Sequence, residues 1–305
     1  MNIAVLSDIH SNHVAFETCL KYLEKRDIDA YCLLGDYVGE FPGLEETMKI
    51  LYELPNIAPC YIIKGNKETY QLNGLGENHP EWDAYPSTIG MIRYGSQHLT
   101  GKDLDYLKGL PVSMTVHLDG MPDLMLCHGS PRNLFEKILP DHVENKEIFA
   151  DVAPKYILCG HTHRVANFTQ YGKTVWNSGS VGCPLNGKSK AEFMILYSKD
   201  KQWEVEFITL GYDIEAVIRE MREKSFYETA PFWTQVSEQL LRGETVAHGT
   251  ALNRAMELCQ MKYGECKWPM IPEECWKQAC AEFLLKNKST GMICVYAHLT
   301  QTRHV

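Results

Sequence analysis

"NIAVLSDIH", residues 2 to 10, is an apolar run that stops on an aspartate and reaches a histidine two residues later. "NIAVLS" reads as a strand, and the alternation that begins after it decides the fold. "VAFETCLKYLEKR" (14–26) places Val14, Ala15, Cys19, Tyr22 and Leu23 at helical spacing, so it forms a helix lying on a sheet. Strand "AYCLLG" (30–35), helix "LEETMKILYEL" (44–54) and strand "CYIIKG" (60–65) repeat the step, giving βαβαβ.

From "VSMTVHL" (112–118) onward the strand-like runs crowd together: "DLMLC", "YILCG", "VANFTQ", "TVWNS", "EFMILYS" and "WEVEFITL", with turns at Tyr171-Gly172-Lys173 and Lys199-Asp200-Lys201. Hairpins are expected to dominate here. Two sheets packed face to face, with helices outside, would bury both sets of apolar faces.

After Gly211 the text turns helical, with apolar stripes Ile214/Val217/Ile218/Met221, Leu252/Ala255/Met256/Cys259 and Trp276/Ala279/Cys280/Phe283. Residues 1–224 are read as one domain and 225–305 as a mainly helical extension, with "MICVYA" (292–297) as its one strand-like run. "FYETAPFW" (226–233) suits a lid over a cleft or a seam between the two parts, the seam being the default.

Of 305 residues, 45% are hydrophobic and 23% charged, as in ordinary folded domains. No apolar stretch reaches the roughly 18 residues of a membrane span, and no signal peptide is legible, so the expected location is cytoplasmic. The eleven cysteines are odd in number and form no C-x-x-C; Cys32, Cys127 and Cys159 sit inside strand-like runs, as reduced core thiols would. A net charge of -9 speaks against nucleic-acid polymers as substrates.

Five apolar runs end on metal-ligand residue types: Asp8, Asp36, Asn66, His128 and His161. Carboxyl ends of strands are where open α/β folds put their ligand sites. Two runs add a second donor two residues on, giving Asp8-x-His10 and His161-x-His163, and a side-chain period of 2 would point both members of each pair the same way. Seven oxygen and nitrogen donors suit a pair of divalent metals, which could be Mn, Fe, Zn, Ni or Co. Such a pair, about 3.5–4 Å apart, can hold a bridging hydroxide and clamp a phosphoryl group. His79, His98, His117 and His142 follow no such pattern and read as ordinary surface or turn residues.

"SDIHSN", "LLGDYVG", "KGN", "LCHGS" and "CGHTH" resemble the five ordered motifs of the calcineurin-like metallophosphoesterase superfamily, and "WNSGSVGCP" is similar to a turn in its small bacterial phosphodiesterase-like branch. The resemblance covers roughly residues 1–222 and implies a four-layer α/β/β/α sandwich of two mixed sheets. It implies one metal held by Asp8, His10, Asp36 and His163 and another by Asp36, Asn66, His128 and His161, with Asp36 bridging and Asn12 near the phosphate. The implied activity is hydrolysis of a small phosphorylated substrate, a phosphodiester or a nucleotide among them. The alternative is a binding scaffold of the same fold with little or no turnover.

Three positions depart from the pattern. Gly39 replaces the second aspartate of the protein phosphatases, Ser178 replaces a turn proline, and Lys67 stands where most members carry the histidine that protonates the leaving group. Lys67 would serve as a general acid of lowered pKa, as an electrostatic stabiliser, or as a solvent-facing residue without a role.

Overall fold

The computed structural model of the chain describes residues 1–74 and 79–289. β1 (Asn2–Leu6), α1 (His13–Leu23), β2 (Ala30–Leu33), α2 (Leu44–Glu53) and β3 (Cys60–Ile62) form the expected βαβαβ winding. Three helices come next, α3 (Asn66–Leu72), α4 (Pro86–His98) and α5 (Gly101–Gly109), then β4 (Ser113–Val116) and β5 (Leu124–Cys127). α6 (Asn145–Phe149) precedes β6 (Tyr156–Cys159), β7 (Val165–Gln170), β8 (Lys173–Ser178), β9 (Ala191–Lys199) and β10 (Gln202–Leu210). The chain continues through α7 (Ile214–Glu223), α8 (Phe226–Thr229), α9 (Pro231–Leu241), α10 (His248–Tyr263) and α11 (Glu273–Ser289).

The strands form two mixed sheets, ordered β10-β9-β1-β2-β3 and β4-β5-β6-β8-β7. The period of 2 in β1 sorts its residues between layers. Ile3 and Val5 meet Leu126, Leu158 and Trp176 between the sheets, whereas Ala4 and Leu6 pack with Phe16, Leu23 and Met48 beneath α1 and α2. On the far side Ile157 and Val175 cover Ile148 and Phe149 of α6, completing an α/β/β/α sandwich.

β7–β8 and β9–β10 are hairpins, with positive φ at Tyr171 and Gly172 and at Asp200 and Lys201. Hairpins do not dominate the second sheet, however, because β5, β6 and β8 run parallel at its centre. The long link from His128 to Lys155 carries α6 across the outer face, the crossover that parallel neighbours need. α4 escapes a periodicity reading for a simple reason: its buried residues include Ser87, Thr88, Gly90 and Gly95, which draw no apolar stripe.

The C-terminal helices share one apolar cluster with the preceding residues. Phe226, Leu240, Ala251 and Trp276 pack with Phe41, Met91, Tyr94 and Cys183. Two polar contacts fix α11 to α4: Trp276 Nε1 donates to Thr88 Oγ1 at 2.9 Å, and Ser87 donates to Glu273 through both its backbone N–H and its hydroxyl. The strand-like run at 292–297 lies outside the described residues. No disulfide links the ten cysteines of the described residues, and no described helix is long and apolar enough to cross a membrane.

Candidate metal centre

Parallel strands end at the same edge of a sheet, so β1, β2 and β3 deliver Asp8, Asp36 and Asn66 to one rim, while β5 and β6 deliver His128 and His161 to the facing rim. Asp8, His10, Asp36, His161 and His163 all have positive φ, between 53° and 65°. β1 stops at Leu6 and β6 at Cys159, so the two D/H-x-H pairs lie on left-handed turns beyond the strands. This corrects the expectation from strand alternation. His163 turns to His10 and Asp8, whereas His161 turns to Asn66. The members of that pair therefore face different partners.

All seven donors converge. Asp8, His10, Asp36 and His163 each offer an atom within 4.8 Å of the others. Asn66 Oδ1 lies 3.0 Å from His128 Nε2 and 2.9 Å from His161 Nδ1. Asp36 stands between the two groups, its Oδ2 3.3 Å from His128 Nε2 and 3.8 Å from His10 Nε2.

Each carboxylate is anchored by one oxygen and presents the other. Asp8 Oδ2 accepts from Ser7 Oγ at 2.6 Å and from the His161 N–H at 3.0 Å; Asp36 Oδ1 accepts from the Lys67 N–H at 2.8 Å. Asp8 Oδ1 is buried and makes no hydrogen bond among the described residues. The imidazoles are fixed likewise. His163 Nδ1 donates to Cys183 O at 2.7 Å and His128 Nδ1 to Leu34 O at 2.8 Å, leaving each Nε2 with its lone pair toward the centre.

A cation fits these donors. His10 Nε2 and His163 Nε2 face each other at 3.0 Å beside the two carboxylates, an arrangement that repels unless positive charge lies between. Without metal the charge comes from a proton. Burial opposes it, but Glu40, Asp8 and Asp36 push His10 up to about 10. His161 is driven the other way, to about 3, by burial and then by His128, so it stays a neutral donor. Aspartate, asparagine and imidazole together suit Mn, Fe, Co, Ni or Zn rather than an all-oxygen Ca²⁺ site.

Gly39 and Glu40 explain one departure from the motif. A Cβ at Gly39, whose φ is +145°, would stand 2.9 Å from His10 Nδ1, so no side chain fits there. Glu40, one residue on and 3% exposed, sets Oε2 2.5 Å from His10 Nδ1 and pairs through Oε1 with Lys67 Nζ. Lys67 Nζ also lies 5.3 Å from the centre of the Trp233 ring. Lys67 is therefore half-buried and engaged, not solvent-facing. Burial works against its charge, but Glu40 and then Asp36 outweigh it and hold the ammonium above the usual lysine range.

Other supporting residues carry no motif signal. Glu68 is fully buried and accepts backbone N–H bonds from Gly65, Asp36, Tyr37 and Val38 at 2.6–3.2 Å, tying the Asp36 loop to the Asn66 loop. Asn177 and Ser180 brace the histidine loop and the Asp8 loop through Gly160 O and Asp8 O. Asn12 caps α1 through Ala15 N and donates to Gly182 O and Tyr212 OH. Its amide is fully occupied at 1% exposure, a structural post rather than a free phosphate ligand. Ser178, at the proline position, ends β8 with a buried hydroxyl that has no partner among the described residues.

The donors open on a cavity of about 550 Å³. The C-terminal region contributes Trp233, His248 and Thr250 from its helices and Trp268 from the link between α10 and α11. The lining also includes Lys137 and Arg164, exposed cations for which no salt bridge is found among the described residues.

The comparisons with known proteins agree with this geometry. A model of the calcineurin-like phosphoesterase superfamily domain matches residues 1–201. An uncharacterized protein of Methanocaldococcus jannaschii is 26% identical over 258 residues, spanning 79% of this chain and 98% of that one. A crystal structure of a metallophosphoesterase from Sphaerobacter thermophilus has a TM-score of 0.60 at 25% identity, over 78% of this chain and 99% of its own. A hypothetical protein from Pyrococcus horikoshii shares the fold, with a TM-score of 0.67 at 21% identity over 80% and 99% of the two chains. The matched span holds every strand end that carries a donor, and the chain belongs to the calcineurin-like phosphoesterase superfamily.

Proposed function

We propose that the chain is a metal-dependent phosphoester hydrolase that holds two divalent ions and acts on small phosphorylated substrates, phosphodiesters or nucleotides foremost. The observation that carries this reading is the sharing of Asp36 between Asp8/His10/His163 and Asn66/His128/His161. When bound, two such ions neutralise phosphoryl charge and acidify water.

The remaining functions fall to the chain. Asp8, Asp36 and the four histidines fix where the ions sit. Lys67, Lys137 and Arg164 add positive charge to the cleft of an acidic protein, which draws in phosphate. Lys67, held protonated by Glu40, acts as fixed charge and not as a proton donor. Phosphate esters with good leaving groups are then the substrates best served, because Lys67 keeps its proton.

A hydrolysis panel of mono-, di- and anhydride phosphates with Mn, Fe, Co, Ni and Zn tests the reading, with Asp36→Asn as control. Metal-dependent turnover lost in Asp36→Asn supports it. Full activity in that variant overturns the site, and no turnover with any metal returns the chain to the class of scaffolds.

A further inference from the structure

The C-terminal helices bring to the cleft a histidine that none of the five motifs contains. His248 opens α10, is 8% exposed, and lines the same cavity as His10, Asp36 and His163. Its Nε2 lies 2.8 Å from Ser237 Oγ, and that hydroxyl donates to Trp233 O at 3.2 Å. A hydroxyl has a single proton, so both contacts are hydrogen bonds only when Ser237 donates to Trp233 O and His248 Nε2 donates to Ser237. Nδ1 then carries the lone pair.

Nδ1 has no hydrogen-bond partner among the described residues, yet it is not one of the buried orphan atoms, so it keeps open surface. Trp233 stacks on the ring with centroids 4.6 Å apart at 27°, which holds its plane. Burial, then Lys67 and His10 against the opposing pull of Glu40, pushes its pKa down to about 3. The imidazole is accordingly neutral, and Nδ1 is a fixed acceptor.

An acceptor is the wrong partner for a phosphate dianion, which offers only lone pairs; the cations of the cleft already serve that end of the substrate. What an unpaired acceptor in a partly dry cavity requires is a donor. Taking the cleft as the phosphoester site proposed above, we propose that His248 is a specificity-determining residue: it selects phosphate esters whose organic part carries a hydroxyl or N–H group able to donate to Nδ1, over esters of plain hydrocarbons.

Glycerol 1-phosphate and propyl phosphate share a three-carbon chain and differ in two hydroxyls. Calorimetric titration of the full, manganese-loaded chain with each is expected to show tighter binding of glycerol 1-phosphate, by about tenfold. In His248→Phe the two affinities should converge, with His248→Gln, which keeps an acceptor, restoring part of the difference. Ser237→Ala releases the tautomer and should also narrow the gap, which keeps the test open if the phenylalanine variant fails to fold. Equal affinities in the wild type, absence of binding included, overturn the proposal, as does a preference that survives His248→Phe. Turnover of bis-nitrophenyl phosphate reports separately on the hydrolase reading: turnover without a preference refutes the role of His248 alone, and a preference without turnover refutes hydrolysis alone.

Discussion

Glu40 Oε2 stands 2.5 Å from His10 Nδ1, while the other oxygen of the same carboxylate holds Lys67. Lys67 is thus tied, through one buried carboxylate, to a residue of the candidate metal cluster. Glu40→Gln should weaken both ends. Loss of the carboxylate charge behind a metal-ligating imidazole typically costs about 10–100-fold in metal affinity. A competitive chelator titration reads this directly, and an unchanged affinity would detach Glu40 from the centre.

Lys67→Met removes a charge and no proton source. Turnover is expected to fall by about tenfold on nitrophenyl and alkyl phosphate esters alike. The measurement is the dependence of rate on leaving-group pKa. A slope that steepens only in the variant would make Lys67 a general acid after all.

Glu68 offers four backbone N–H groups a single charged acceptor pair in a dry loop junction. Glu68→Gln replaces one acceptor oxygen with an amide that points protons at protons. The expected loss is about 3 kcal/mol of stability, read by denaturant unfolding. A loss below about 0.5 kcal/mol would show that the loop does not depend on this carboxylate.

His13 of α1 contacts Glu220 of α7 at 3.2 Å and Glu17 at 3.1 Å, and these bonds, against burial, raise it to about 9. A histidine raised above its unfolded value of about 6.5 contributes fully below that pH and loses its contribution as pH rises toward 9. Glu220 is lowered, with burial opposing and His13 favouring its charge, so its share is lost on acidification through the carboxylate range. Thermal stability should therefore be greatest near pH ~5.5–6.5 and fall by about 1–2 kcal/mol by pH ~9, after allowance for screening. His13→Gln should flatten that alkaline decline; an identical decline in the variant would assign it to other groups.

The seven clustered donors were legible because few residue types bind metals and all seven lie at or just beyond the ends of apolar runs. The supporting residues were not. Glu40 and Glu68 read as ordinary polar residues after a motif, and only the approach of two loops buries them. His248 lies far from the motifs in sequence, and packing of the C-terminal helices on α4 brings it to the cleft, a placement that no spacing encodes. The Asp8/His10 and His161/His163 pairs come together through left-handed turns in place of strand alternation.

Those left-handed turns bear on how such a centre can be lost. Asparagine tolerates positive φ better than most side chains, while alanine there costs about 1 kcal/mol. Replacement of Asp8 or Asp36 by asparagine would remove a negative charge and leave the loop intact. Loss of a cation site here would therefore pass most cheaply through asparagine, and a descendant could keep this sandwich, its cleft and its C-terminal wall as a silent receptor without the charges that a cation needs.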